Sequence, residues 1–218
     1  MRLFIAIPIP KSVRAALAEF QNHLAARLPG WRWSKPENLH LTLAFLGETR
    51  PEKIPIIEDV MRGPCAEAAP FELELSGFGA FPSARDPRVL YLGCGRGESQ
   101  ISSLAGRLLP GLRAADLLPE AEKNRAFRPH LTLARRASSI VPQKAAADLG
   151  FLKQSAPFAA PTRISVDSIV LFESRPSAAG SEYRLISRSA PVKSVKDVTE
   201  GVAVVGRSFF LFAPFSFL

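Results

Sequence analysis

Cysteine is almost missing from this 218-residue chain: it has two, Cys65 and Cys94, neither in a C-x-x-C pair nor beside a histidine. A disulfide-stapled scaffold and a zinc ribbon are therefore not expected. No run of about twenty uninterrupted apolar residues occurs, so no transmembrane helix is expected either. The opening MRLFIAIPIP has one basic residue, then a short apolar stretch broken by Pro8 and Pro10, with no small-residue cleavage site. It reads as a first strand and not as a signal peptide. Also missing are a Walker A lysine motif, a G-x-S-x-G elbow and an H-E-x-x-H pair, which leaves nucleotide hydrolases, serine esterases and zincins without support. A reducing cytoplasm is the expected compartment.

What is present describes a folded chain with a basic surface. Hydrophobic residues make up 47% and charged residues 22%, with a mean hydropathy of +0.08. These values lie in the globular range, and a chain of this length buries about 70% of its extended surface. Lysine and arginine number 28 against 20 acidic residues, a net charge of +8 and a pI near 10.0. A polyanionic partner is favoured over an acidic protein.

Helical and strand periods alternate along the chain. RLFIAI at residues 2–7 predicts a strand, and Val13, Leu17, Phe20 and Leu24 predict a helix over 11–28. WRW, a turn at KPEN and the strand LHLTLAFL follow, then a helix from about Pro51 to Met61 stopped by Gly63-Pro64. FELELS and RVLYLGC predict a hairpin. Ile101, Leu104, Leu108 and Leu112 predict a helix over 98–113, interrupted near its end by Pro110, and 114–129 read as loop. The strand HLTLAR, a helix over 143–153 and the strands TRISVDSIVLFES and EYRLISR complete the pattern. After about Ala190 the composition changes, and residues 191–218 read as a separate tail, with docking and disorder both open.

One internal repeat stands out. His40-Leu41-Thr42-Leu43-Ala44 recurs as His130-Leu131-Thr132-Leu133-Ala134, ninety residues later. The simplest architecture is an α+β fold of two similar lobes. Strand side chains alternate, so each histidine shares a face with its threonine, about 7 Å along the strand, while the leucines anchor the other face. Facing lobes would bring two imidazoles and two hydroxyls to one cleft. One imidazole can deprotonate a nucleophile while the other protonates a leaving oxygen, and hydroxyls can bind equatorial phosphate oxygens. That kit suits phosphodiester cleavage without a metal or cofactor. A single H-x-T on a strand is weak evidence, since a lone histidine among leucines usually belongs to the core. Two of only three histidines in the same place of an identical pentapeptide are much stronger. The third, His23, falls in the first helix and reads as a surface residue.

RLFIAIP, WSKPENLHLTLAFLGE and FRPHLTLAR resemble the bacterial and archaeal RNA 2',3'-cyclic phosphodiesterases, formerly called 2'-5' RNA ligases, of the two-histidine (2H) phosphoesterase superfamily. The likeness covers roughly residues 1–190. It implies a bilobal fold of two pseudo-symmetric lobes of antiparallel sheet, with helices packed outside and the active-site cleft between them. By motif position it makes His40 the proton donor and His130 the proton acceptor, with Thr42 and Thr132 binding phosphate. Arg135 matches a family arginine that contacts phosphate, yet strict alternation points it away from the His130 face unless the strand ends or twists there. The implied activity opens 2',3'-cyclic phosphate ends of RNA or oligonucleotides in a monomeric enzyme, with reverse 2'-5' ligation as the related reaction.

Two alternatives stay open at this point. One is a non-catalytic RNA-binding protein that works through its basic surface, and the other a phosphodiesterase for a small cyclic nucleotide derivative such as ADP-ribose cyclic phosphate. Gly93-Cys94-Gly95-Arg96-Gly97 lacks the last glycine of a dinucleotide fingerprint and reads as a glycine turn. Trp31, Trp33 and Phe127 flank the motifs and could stack on bases.

Overall fold

The structure, a computed structural model, describes residues 1–137, 140–154, 162–177 and 180–190. In chain order the elements are β1 (Arg2–Pro8), α1 (Lys11–Ala25), β2 (Trp31–Trp33), β3 (His40–Glu48), α2 (Ile54–Glu67), β4 (Phe71–Pro82) and β5 (Pro87–Cys94). Then come α3 (Glu98–Ala114), α4 (Glu120–Lys123), β6 (Leu131–Arg136), α5 (Pro142–Gln154), β7 (Thr162–Val166), β8 (Ile169–Ser177) and β9 (Gly180–Ser189). The tail expected over 191–218 lies outside the described residues. No described helix is long and apolar enough to cross a membrane.

The two lobes are the halves of one antiparallel sheet, ordered β7-β4-β5-β6-β3-β1-β8-β9, with β2 added alongside β6. Reading outward from the centre, β3-β1-β8-β9 mirrors β6-β5-β4-β7, so the repeat in sequence is a pseudo-twofold in space. The halves meet through the pair Leu41–Leu131, the two equivalent motif leucines. They are not consecutive in the chain, because β8 and β9 return to the half begun by β1. Only Asp167 and Ser168 separate β7 from β8, and the three Cα steps from Val166 to Ile169 span at most about 11 Å. The sheet must therefore curl until its β7 edge comes round to β8.

The leucine face of this sheet carries the core. Leu41, Leu43, Leu131 and Leu133 are all buried, in one cluster with Ile5 and Ile7 of β1, Ile57 and Met61 of α2, and Leu104 and Leu108 of α3. A second cluster joins Leu24 of α1 and Leu149 of α5 to Trp31, Leu90 and Ala134. With helices on that face, the histidine face is left open.

Local signals misplaced a few boundaries. α2 continues to Glu67 through Gly63-Pro64, where a stop was expected, because Ile57, Met61 and Cys65 bury one stripe against the core. Packing there outweighs the hydrogen bond that proline removes from the last turn. The 114–129 loop contains the single turn α4, and β4 extends well past FELELS to Pro82. The glycine turn is borne out: Gly97 has φ +87°, and a Cβ there would lie 2.4 Å from the Glu72 carbonyl oxygen. Glycine is needed at that point for close backbone approach.

Candidate active site

Antiparallel register puts the motif side chains together. Extended by one residue to either side of the Leu41–Leu131 pair, it places His40 across from Thr132 and Thr42 across from His130. Directly opposed Cβ atoms in such a ladder are about 4.5–5.5 Å apart. Each histidine is thus near a threonine of its own strand and another of the facing strand. Among the described residues neither threonine hydroxyl has a hydrogen-bond partner, which leaves both able to donate to a ligand.

Both imidazoles are oriented by the same device. His40 Nδ1 lies 2.7 Å from the Asn38 carbonyl oxygen, and His130 Nδ1 lies 2.8 Å from that of Arg128. A carbonyl only accepts, so in each ring Nδ1 carries the proton and Nε2 is left free. Asn38 is itself tied down by its side-chain amide, which donates to the Ser181 carbonyl at 2.6 Å. Aromatic rings hold the imidazoles from the side. Phe4 and Tyr183 lie 4.8 and 5.2 Å from His40, and Phe81 and Tyr91 lie 4.8 and 5.4 Å from His130, centre to centre. These are the only two tyrosines in the chain, one for each histidine. A Cβ at Gly79 would fall 2.2 Å from Tyr91 Cζ, so the glycine makes room for that ring.

Arg135 reaches the cleft because β6 bulges. Thr132 pairs with Tyr91 and Ala134 with Leu90, which leaves Leu133 as an extra residue and reverses the alternation after it. The Leu133 carbonyl, displaced from the ladder, accepts from Ser34 N–H at 2.8 Å and from the buried Gln21 side chain at 3.0 Å. β3 bulges at the same point, with Thr42 opposite Ala6 and Ala44 opposite Ile5, so Leu43 is skipped. The residue after each pentapeptide therefore faces the cleft in both halves. It is Arg135 in one and Phe45, 39% exposed, in the other. The cleft is symmetric in its acid-base groups and asymmetric in its flanks.

Burial favours the neutral form of both rings. Burial is the main cause that lowers the His40 pKa to about 4, with the hydrogen bond the ring donates to the Asn38 carbonyl acting against it and the charges of His130 and Arg135 adding to it. His130 is also lowered from 6.5, chiefly by burial and then by Arg125 and Arg135, against the opposing Arg128 carbonyl. An anion between the rings would reverse part of this, since opposite charge favours the protonated form. Among the described residues no cluster of three or more His, Cys, Asp and Glu side chains could hold a metal ion.

The other sequence candidates lie elsewhere. Trp31 is buried, its Nε1 donating to Asp148 at 2.7 Å. Trp33 and Phe127 are half-buried and pack against the core. His23 is exposed beside Arg27, as a surface residue should be. Phe4, Phe81, Tyr91, Tyr183 and Gln21 escaped the sequence reading. The one available signal was Phe45 standing where the repeat has Arg135.

The family described as LigT like Phosphoesterase matches residues 7–91. The RNA 2',3'-cyclic phosphodiesterase of Thermus thermophilus is 38% identical over 143 residues, covering 62% of this chain and 69% of that protein. The one from Geobacillus stearothermophilus is 32% identical over 169 residues and covers 78% of this chain; this chain spans about half of that longer relative, 51%. Among solved structures, a Thermus thermophilus protein superposes with a TM-score of 0.66 at 29% identity, covering 87% of this chain and 97% of the other. Escherichia coli LigT in complex with 3'-AMP gives 0.66 at 26% identity, with 88% and 98% coverage.

Proposed function

Because this chain belongs to the RNA 2',3'-cyclic phosphodiesterases of the LigT-like phosphoesterases, we propose that it hydrolyses terminal 2',3'-cyclic phosphates on RNA or oligonucleotides. The catalytic unit is residues 1–190. The observation that carries this reading is the pair of imidazoles, each with Nδ1 held by a backbone carbonyl and Nε2 free, set across from a threonine hydroxyl. A monomeric enzyme is part of this proposal.

The reaction runs in line through the cyclic phosphate. His130 Nε2 takes a proton from water as the water oxygen bonds to phosphorus, the bond from phosphorus to O3' breaks, and His40 Nε2 gives its proton to O3'. Thr42, Thr132 and Arg135 hold the non-bridging oxygens as negative charge grows on them. Proton exchange with solvent resets the two rings. With a 5'-hydroxyl in place of water, the same displacement of O3' forms a 2'-5' linkage. Phe45 and Leu185, at 39% and 49% exposure, give the His40 half an apolar flank against which a base could rest.

Incubating an oligonucleotide bearing a 2',3'-cyclic end with the protein in excess EDTA tests this scheme. Full activity with a 2'-phosphomonoester product, read by phosphorus NMR, is the expected result. A 3'-phosphate would exchange or remove the two histidine roles, and activity lost to EDTA but restored by one divalent ion would reject the chemistry. Hydrolysis of a small cyclic derivative with RNA ends untouched would favour the metabolite reading. Binding of RNA without turnover would favour the non-catalytic one.

The pH dependence has a definite sign. The base must start neutral and the acid protonated, yet in the free cleft both pKa values are lowered, that of the acid His40 to about 4. The bell for kcat/KM, which reports the free enzyme, should peak below about pH 6.5, while the kcat bell moves upward once the phosphodiester anion is bound. An alkaline limb of kcat/KM at pH 7 or above would contradict the lowering of both pKa values in the free enzyme.

A further inference from the structure

Strand β2 contributes one group that the chemistry above does not use. Trp31 is buried and Trp33 packs on the core, so Arg32 between them turns outward and is exposed. It stands directly opposite Arg135 in the β2–β6 ladder. Opposed residues share a face, and the bulge at Leu133 has already fixed that face as the cleft side. Two arginines are therefore paired across the ladder on the cleft face, at the end of β6. Like charges directly opposed across a ladder destabilise it.

The neighbouring arginine shows what this sequence does where a charge is only structural. Arg136, one residue on, is ion-paired with Asp86, which also takes Arg88 at 3.4 Å. Among the described residues, neither Arg32 nor Arg135 has a carboxylate within ion-pair distance. A counter-charge is supplied outside the cleft and withheld inside it. The two cations also differ in reach: Arg135 is among the charges that lower both imidazole pKa values, and Arg32 is not. By register Arg32 stands one strand aside from Arg135, at the end of β6 away from His130.

We propose that Arg32, beside Arg135, holds a second phosphate, the phosphodiester on O5' of the nucleotide that carries the cyclic phosphate. Two planar forks side by side suit a tetrahedral dianion or diester. A mononucleoside 2',3'-cyclic phosphate has no group there, so Arg32 sets a preference for oligonucleotide ends. This assignment rests on the cyclic phosphodiesterase reading above.

Two measurements test it separately from that reading. In the first, kcat/KM is compared for adenosine 2',3'-cyclic phosphate and for the adenylyl-adenosine dinucleotide with the same cyclic end. In R32Q the ratio of dinucleotide to mononucleotide should fall about tenfold, the effect of one charged hydrogen bond. R32K should recover part of it, and the log–log salt dependence for the dinucleotide should flatten by about 0.7 in R32Q. An unchanged ratio overturns the proposal. In the second, calorimetry compares adenosine 3',5'-bisphosphate with adenosine 3'-phosphate, without turnover. The bisphosphate should bind about tenfold tighter, with the margin lost in R32Q. Equal affinities in the unmodified protein overturn the proposal even if hydrolysis is found, whereas a preserved bisphosphate preference with neither substrate hydrolysed defeats the activity reading alone.

Discussion

Replacing His130 by alanine is expected to slow hydrolysis of a 2',3'-cyclic phosphate by 10²- to 10⁴-fold, about the span that general acid–base catalysis contributes, and His40→Ala should cost a similar factor. Removal of either ring leaves one proton transfer without its partner, and no other described side chain takes its place. Each imidazole is half-buried and held by one backbone bond and two aromatic rings. The alanine variants should therefore fold, and circular dichroism should match the unmodified protein. The double variant should lose much less than the product of the two single losses, since both groups act in one step. Near-normal turnover by a folded His130→Ala protein would remove it as the base. A loss from His130→Ala that did not also change the shape of the pH profile would point to a merely structural role.

Which parts of this cleft could be read from the chain alone follows from the range of each determinant. The shared face of His40 and Thr42, and of His130 and Thr132, depends only on the two-residue strand period, and the burial of Leu41, Leu43, Leu131 and Leu133 agrees with it. Arg135 could not be placed in that way. Its direction is set by a bulge that exists only in register with β5, and whose stray carbonyl is held by Gln21, on a helix far away in sequence. The aromatic walls are non-local for the same reason: Phe4 and Tyr183 reach His40 from β1 and β9, and Phe81 and Tyr91 reach His130 from β4 and β5. Periodicity fixes a face, but not which distant strand will flank it. The two lobes show the same limit. The repeated pentapeptide marked a duplication, yet the return of β8 and β9 to the first half depends on how far the whole sheet curls.

Loss of either threonine hydroxyl should come next in size. Thr42→Val and Thr132→Val keep the branched shape on a half-buried strand face, so packing is nearly preserved while one donor to phosphate disappears. Groups aimed at charge that grows in the transition state are worth 10²- to 10³-fold each in kcat when lost singly, and that is the expected range here. The cyclic phosphodiester already carries a negative charge, so part of each hydroxyl's effect is made in the ground state and should raise KM. The larger part should fall on kcat, because the non-bridging oxygens gain charge as water adds. Serine keeps the donor and should restore most of the rate at either position. Across the Leu41–Leu131 register Thr42 faces His130 and Thr132 faces His40, so in the proposed scheme each threonine would hold the phosphate beside the opposite strand's imidazole. Thr42→Val combined with His130→Ala should then cost less than the product of the separate losses, and likewise Thr132→Val with His40→Ala. Valine variants that lose less than about tenfold in kcat while KM rises would show that the hydroxyls bind the substrate without stabilising its transition state.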